Sequence, residues 1–277
     1  ETIHTRETFS AGGGKGANQA VAARRSEADT YFIGAVGTDE AGKTMSELLS
    51  QEEIDLTGVA TLENQATGQA YIIVDDQGEN SIMIHAGANN AFTPEQVRKS
   101  QAIIEKSDFI IAQFESAVES TIEAFKIAKK AGVKTILNPA PALENVPEEL
   151  LKVTDMIIPN ETETEILTGV TISDEASLQA AASKLHALGI EVVIITIGSK
   201  GAFYALKDGK NGIVKAFKVN AVDTTAAGDT FIGAMSSLLA KDFSNLEEAI
   251  RYGNKASSLT VQRFGAQPSI PYKKELD

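Results

Sequence analysis

Two aspartates, Asp223 and Asp229, bracket the run D-T-T-A-A-G-D inside A-V-D-T-T-A-A-G-D-T-F-I-G-A at 221–234. Three small residues, Ala226, Ala227 and Gly228, stand where an apolar helical pattern begins. Several backbone N–H groups there lack intrahelical partners and can converge on one anion. Asp229 follows directly, a carboxylate placed where a general base has to be if that anion is a phosphoryl group in transit to a hydroxyl. The alternative is an ordinary N-terminal cap on a buried amphipathic helix.

Composition limits what such a site can belong to. At 277 residues with 43% hydrophobic content, the chain can bury a large core as one domain, 1–277, with a small appendage. A net charge of −13 leaves no broadly basic face, which argues against a nucleic-acid partner. Without cysteine there are neither disulfides nor thiolate zinc sites, as suits a reducing cytoplasm. No apolar run reaches the ~18 residues of a membrane span. The chain opens at Glu1 with neither an initiator Met nor the features of a signal peptide.

Elements that could position the site can be read in order. Residues 1–9 alternate weakly, as an exposed strand does, and lead into S-A-G-G-G-K-G-A-N-Q-A-V-A-A, a glycine-rich turn opening a helix. Gly12, Gly14 and Ala17 fit a relaxed dinucleotide-binding pattern, but no buried strand precedes them. Otherwise these glycines let the backbone approach a polar ligand, with Lys15 and Asn18 offering hydrogen bonds. G-T-D-E-A-G-K-T at 37–44 matches the phosphate-loop pattern and would make Gly42, Lys43 and Thr44 the centre of a P-loop NTPase. Asp39 and Glu40 oppose that reading, being like charges in a loop meant for phosphate.

Residues 67–86 read as a β-hairpin in which Tyr71, Ile73, Ile82 and Ile84 alternate with other side chains, an apolar face that a small sheet cannot hide without a partner or a closed ligand site. From about Pro94 onward strands alternate with helices, the pattern of a mostly parallel sheet covered on both sides. Ligands bind beyond the carboxyl ends of such strands. Glu115, Asn138, Asn160 and the 198–201 loop fall there. Each has a plainer reading: N-E-T-E, with Asn160 and Glu163 three apart, is also a capping box, and T-I-G-S-K-G is also a hairpin turn. His4, His85 and His186 share no metal-ligand spacing.

Taken together, G-G-K-G-A-N-Q-A-V-A-A, N-P-A-P-A, N-E-T-E, V-D-T-T-A-A-G-D-T-F and G-A-Q-P-S resemble, in order, the signatures of the ribokinase-like family of carbohydrate kinases, from Glu1 to about Lys274. That resemblance implies a three-layer α/β sandwich with a mostly parallel central sheet and a small β lid, here 1–9 and 67–86. It implies ATP-dependent phosphorylation of D-ribose at the 5-hydroxyl, with Asp229 as base and the amides around Ala226, Ala227 and Gly228 as anion hole. Gly14, Lys15, Asn18 and Glu115 would hold the sugar. Asn160, Thr196, Gly198, Ser199, Gly201, Gly228 and Asn254 would line the ATP site, and Glu163 would organise Mg²⁺ indirectly. A potassium ion would sit among Asp223, Thr225, Thr260, Arg263, Gly265 and Ser269. The lid would pair two chains into a homodimer in the cytoplasm. Rival readings are another sugar or nucleoside kinase of the same fold, the P-loop NTPase, and an inactive nucleotide-binding protein. The last arises because the family's first strand, with its sugar-gripping Asn and Asp, should precede Glu1. Glu27 and Glu53 stand where relatives carry glycine after a helix, at turns that often need φ > 0.

Overall fold

The computed structural model describes residues 10–74 and 80–276. The chain runs α1 (Lys15–Arg25), β1 (Tyr31–Gly37), α2 (Glu40–Gln51), β2 (Asp55–Leu62), β3 (Gln69–Val74) and β4 (Asn80–His85). Short helices α3 (Ala88–Ala91), α4 (Pro94–Lys99) and α5 (Gln101–Lys106) lead to β5 (Phe109–Ala112), α6 (Val118–Ala131), β6 (Lys134–Leu137) and α7 (Glu148–Lys152). Then come β7 (Met156–Ile157), α8 (Glu161–Thr168), α9 (Glu175–Ala187), β8 (Val192–Thr196), β9 (Ala202–Leu206) and β10 (Asn211–Val214), and finally α10 (Ala227–Leu238) and α11 (Leu246–Thr260).

Six strands form the main sheet in the order β10-β9-β8-β7-β6-β5. β5 to β8 are parallel, and β9 and β10 close the sheet in antiparallel fashion. The run V-V-I-I of β8 is apolar on every residue because both of its faces are covered. Val193 and Ile195 pack with Phe125 of α6 and Leu185 of α9 on one side. Val192 and Ile194 pack with Phe231 and Met235 of α10 and Ile250 of α11 on the other. This is the predicted three-layer sandwich with a mostly parallel central sheet.

Two smaller sheets accompany it: the parallel pair β1-β2 and the antiparallel hairpin β3-β4. The predicted strand over 1–9 lies outside the described residues. The hairpin's register corrects one expectation. Tyr71 pairs with Met83 and Ile72 with Ile82, so Tyr71 and Ile73 share a face with Met83, whereas Ile82 and Ile84 lie on the opposite face with Ile72. All six side chains are at least half exposed, so the hairpin has two apolar faces rather than one.

Glu27 and Glu53, each just past a helix end, adopt φ of 69° and 57°, the left-handed turns expected of them. Their neighbours close the helices: Ala28 N–H donates to Ala23 O at 3.1 Å and Ile54 N–H to Leu49 O at 3.2 Å.

Candidate active site

α10 starts abruptly. Ala226 is held at φ 59°, ψ 10°, a left-handed conformation that costs a residue with a β-carbon about 1–2 kcal/mol. That kink lets Ala227 N–H turn back to Thr224 O at 3.2 Å, while Thr230 N–H makes the first helical bond, to Ala226 O at 2.8 Å. Among the described residues, the N–H groups of Ala226, Gly228 and Asp229 are left without a protein acceptor. These three amides are the ones free to meet an anion, whereas the Ala227 amide, expected beside them, is engaged within the turn.

Asp229 sits in the first turn and is buried. Its carboxylate is gripped from α1: Asn18 Nδ2 donates to Oδ2 at 2.9 Å and Gln19 Nε2 to Oδ1 at 3.0 Å. Close packing of the two helices makes this reach possible. Gly233, one turn after Asp229, lies so near α1 that a β-carbon there would come within 2.3 Å of Gln19 O. Asn18 Oδ1 is a buried acceptor with no partner among the described residues, which suits a sugar hydroxyl. At the start of α1, Gly14 has φ 90°, and Lys15 N–H donates to Glu115 Oε2 at 2.7 Å. Gly14, Lys15, Asn18 and Glu115 thus meet in space, although Glu115 lies a hundred positions from Lys15.

The ends of β7 and β8 supply the next group. Asn160 caps α8 through a reciprocal box with Glu163: Asn160 Oδ1 accepts from Glu163 N–H at 2.8 Å, and Asn160 N–H donates to Glu163 Oε2 at 2.9 Å. The capping reading is thus correct as structure. Burial nonetheless pushes the Glu163 carboxyl up; Asn160 N–H and Lys15 pull it down, and the charge of Asp229 adds to the rise. Glu163 is therefore electrostatically in touch with both Lys15 and Asp229. Thr196 bridges to Asn160 in parallel, and Gly198, Ser199 and Gly201 form the turn between β8 and β9. A β-carbon on Gly201 would lie 2.1 Å from Val214 O, so only glycine fits. Asn254 is buried and gives its Nδ2 to Val214 O at 3.0 Å, which ties α11 to the end of β10.

The residues assigned to potassium also converge. Asp223 accepts Thr225 N–H at 2.8 Å and Gly265 N–H at 2.9 Å, and Val222 N–H donates to Val261 O at 2.7 Å. Burial works to raise the Asp223 carboxyl, but the hydrogen bonds from Thr225 and Gly265 outweigh it and hold the group below its ordinary value. The carbonyls of Asp223, Thr225, Arg263 and Gly265 accept no hydrogen bond from other described residues. Such an oxygen-rich set suits a hard monovalent cation. Thr260 and Ser269 are fully buried beside it, and the guanidinium of Arg263 pairs with Glu275. No group of three His, Cys, Asp or Glu side chains among the described residues could cage a metal.

The phosphate-loop match fails on charge, as anticipated. Asp39 caps α2, taking Gly42 N–H at 3.0 Å on Oδ1 and Thr67 N–H at 2.9 Å on Oδ2. Hydrogen bonds from the Thr67 side chain and backbone hold this carboxyl low, so a fixed anion occupies the position a phosphate would need.

Sequence reading passed over Gln19 and Gln113. Gln113, just past β5, donates through Nε2 to Gln19 Oε1, and Gln19 Nε2 also donates to Asn138 Oδ1 at 3.2 Å. The one available signal was the position of Gln113 at a strand's carboxyl end.

This chain matches the pfkB family of carbohydrate kinases over residues 1–273. It is 48% identical to the ribokinase of Staphylococcus aureus, an alignment covering 100% of this chain and 91% of that protein. With the ribokinase of Mus musculus it shares 38% identity over 100% of this chain and 86% of the relative. Its fold superposes on Arabidopsis thaliana ribokinase complexed with ribose and ATP at a TM-score of 0.95 and 34% identity, covering 100% of this chain and 89% of the other. Similarity of this extent, carried through the whole length, means that the chain belongs to the pfkB family of carbohydrate kinases.

Proposed function

We propose that the chain transfers the γ-phosphoryl group of ATP to the 5-hydroxyl of D-ribose. The observation that carries the mechanism is the buried Asp229 carboxylate, oriented by Asn18 and Gln19 at the mouth of a helix where the amides of Ala226, Gly228 and Asp229 have no acceptor among the described residues. Asp229 takes the hydroxyl proton as the sugar oxygen bonds to phosphorus and the bond to the ADP oxygen breaks. The amides of Ala226, Gly228 and Asp229 hold the charge on the transferring oxygens. Gly14, Lys15, Asn18 and Glu115 bind the sugar, and the relative solved with ribose and ATP supports this pair of substrates. ATP lies across Asn160, Thr196, the Gly198–Gly201 turn and Asn254.

Magnesium bound near Glu163 would neutralise phosphate charge, and potassium among the carbonyls of the 223–225 and 263–265 loops would reinforce the anion hole. The 277 residues work as one kinase unit, with the β3-β4 hairpin as its lid and as the contact between two copies. No described helix is long and apolar enough to cross a membrane, and a cytoplasmic setting suits the absence of cysteine.

Asp229→Asn tests the mechanism. The amide keeps the size of the side chain but cannot accept the proton, so kcat is expected to fall by ~10² to 10⁴ with little change in KM for ATP. Activity within a few-fold of the parent would reduce Asp229 to a helix cap. A panel of ribose, fructose and adenosine separates the assigned substrate from those of other kinases of this fold.

A further inference from the structure

We infer that Gln19 is a positioning residue for the catalytic base, locked in one orientation by a chain of carboxamides that spans three strands of the sheet. This rests on the reading of Asp229 as base.

The polarity of the chain follows from two of its ends, Ile158 O and the Asp229 carboxylate, which accept, while the third end, Gln113, donates. Ile158 O, just past β7, takes Asn138 Nδ2 at 2.9 Å, so Asn138 must turn its Oδ1 toward Gln19. Gln19 must then present Nε2, whose two hydrogens go to Asn138 Oδ1 at 3.2 Å and Asp229 Oδ1 at 3.0 Å. Its Oε1 is left facing Gln113, which donates to it. Rotating the Gln19 amide by half a turn would set oxygen against oxygen at Asn138 and at Asp229. Because Gln19 is only 2% exposed, water cannot repair those contacts.

Asn18 differs. It also donates to Asp229, but its own Oδ1 has no partner among the described residues, none of which fixes its amide from behind. Of the two donors on the carboxylate, Gln19 is the anchored one. Its anchor runs through the carboxyl ends of β5, β6 and β7, and so ties the base on α10 to the sheet through α1.

Kinetics with ribose and ATP test this in single variants and in a double-variant cycle with Asp229→Asn. Gln19→Met, of similar length but without donors, is expected to lower kcat about 10- to 100-fold, the scale of a small misplacement of reacting groups. KM for both substrates should stay within about threefold, as for a transition-state effect. In the Asp229→Asn background the same change should cost less than about twofold, because the group it acts through is already disabled. Gln19→Glu, which preserves shape but sets a carboxylate against Asp229, should be at least as damaging. Should Gln19→Met fail to fold, Gln113→Met reads the chain from its outer end, with a smaller kcat loss that again vanishes beside Asp229→Asn. Unchanged kcat in the folded variants overturns the inference, as does an equal loss in both backgrounds. Near-parental activity in Asp229→Asn alone would instead sink the base assignment, whereas an inactive Asp229→Asn beside a fully active Gln19→Met sinks only the role of Gln19.

Discussion

Gly233 and Gln19 face each other where α10 crosses α1, with room between the glycine and the Gln19 carbonyl for no side chain at all. Residues four apart share a helix face, so this contact lies directly below Asp229 and sets its distance from the donors on α1. Gly233→Ala is expected to cost about 1–3 kcal/mol of stability through forced helix separation. It should also lower kcat more than it changes KM for ATP. Urea melts and steady-state kinetics check both; a stable variant with unaltered kcat would show that the helix spacing is not critical.

Potassium should raise activity far more than sodium. Asp223 draws the 223–225 loop to Gly265, and this arranges carbonyls that have no other partner among the described residues. Asp223→Ala should therefore raise the potassium concentration for half-activation. Equal turnover in potassium and tetramethylammonium buffers would rule the cation out.

Glu163 carries a pH signature. Burial raises its folded-state pKa above the ordinary 4.5, so its contribution to stability is greatest below that pH and is lost as pH rises through the folded value. Glu163→Gln can still accept Asn160 N–H but cannot titrate. The parent's stability relative to this variant should accordingly fall with rising pH from about 4.5 upward, as read by urea denaturation at several pH values. A constant difference would mean that Glu163 is ordinarily solvated.

The hairpin should hold two copies together. Ile72, Ile82 and Ile84 share one apolar face and Tyr71, Ile73 and Met83 the other, and a two-stranded sheet cannot cover both alone. Sedimentation should show a dimer at micromolar concentration, and Ile82→Asp should shift it toward monomer. A parent that sediments as a monomer would defeat the assignment.

Glu27→Gly and Glu53→Gly should each stabilise the chain slightly. Relief of a left-handed turn is worth about 1–2 kcal/mol, more than the ~0.2–1 kcal/mol of the exposed ion pairs Glu27–Lys273 and Glu53–Arg24. Glycine's greater freedom in the unfolded chain offsets part of the gain. Lower melting temperatures would show that the ion pairs dominate.

What could be read from the residues alone was whatever is local. V-V-I-I announces a strand buried on both faces, N-E-T-E a helix start, and A-A-G-D the mouth of a helix, because each depends on neighbours within a few positions. The left-handed turns at Glu27 and Glu53 were legible only through the family resemblance, which puts glycine at those positions. The partners of Gln19 were not, since Gln113, Asn138 and Asp229 lie 94, 119 and 210 positions away and only the folded sheet brings them together. Pairing across the hairpin was equally hidden: alternation within each strand is visible, but the facing of Tyr71 to Met83 depends on a register that sequence does not display.

Asp39 shows how a chain can answer a motif with its own ligand. By lodging a side-chain carboxylate at the start of α2 and tethering it to Thr67, the protein keeps a helix opening permanently occupied from within. The same G-x-x-x-x-G-K-T lettering in any other chain can be checked for such a resident anion: an acidic residue immediately before the helix begins, with a hydroxyl-bearing partner from a neighbouring loop.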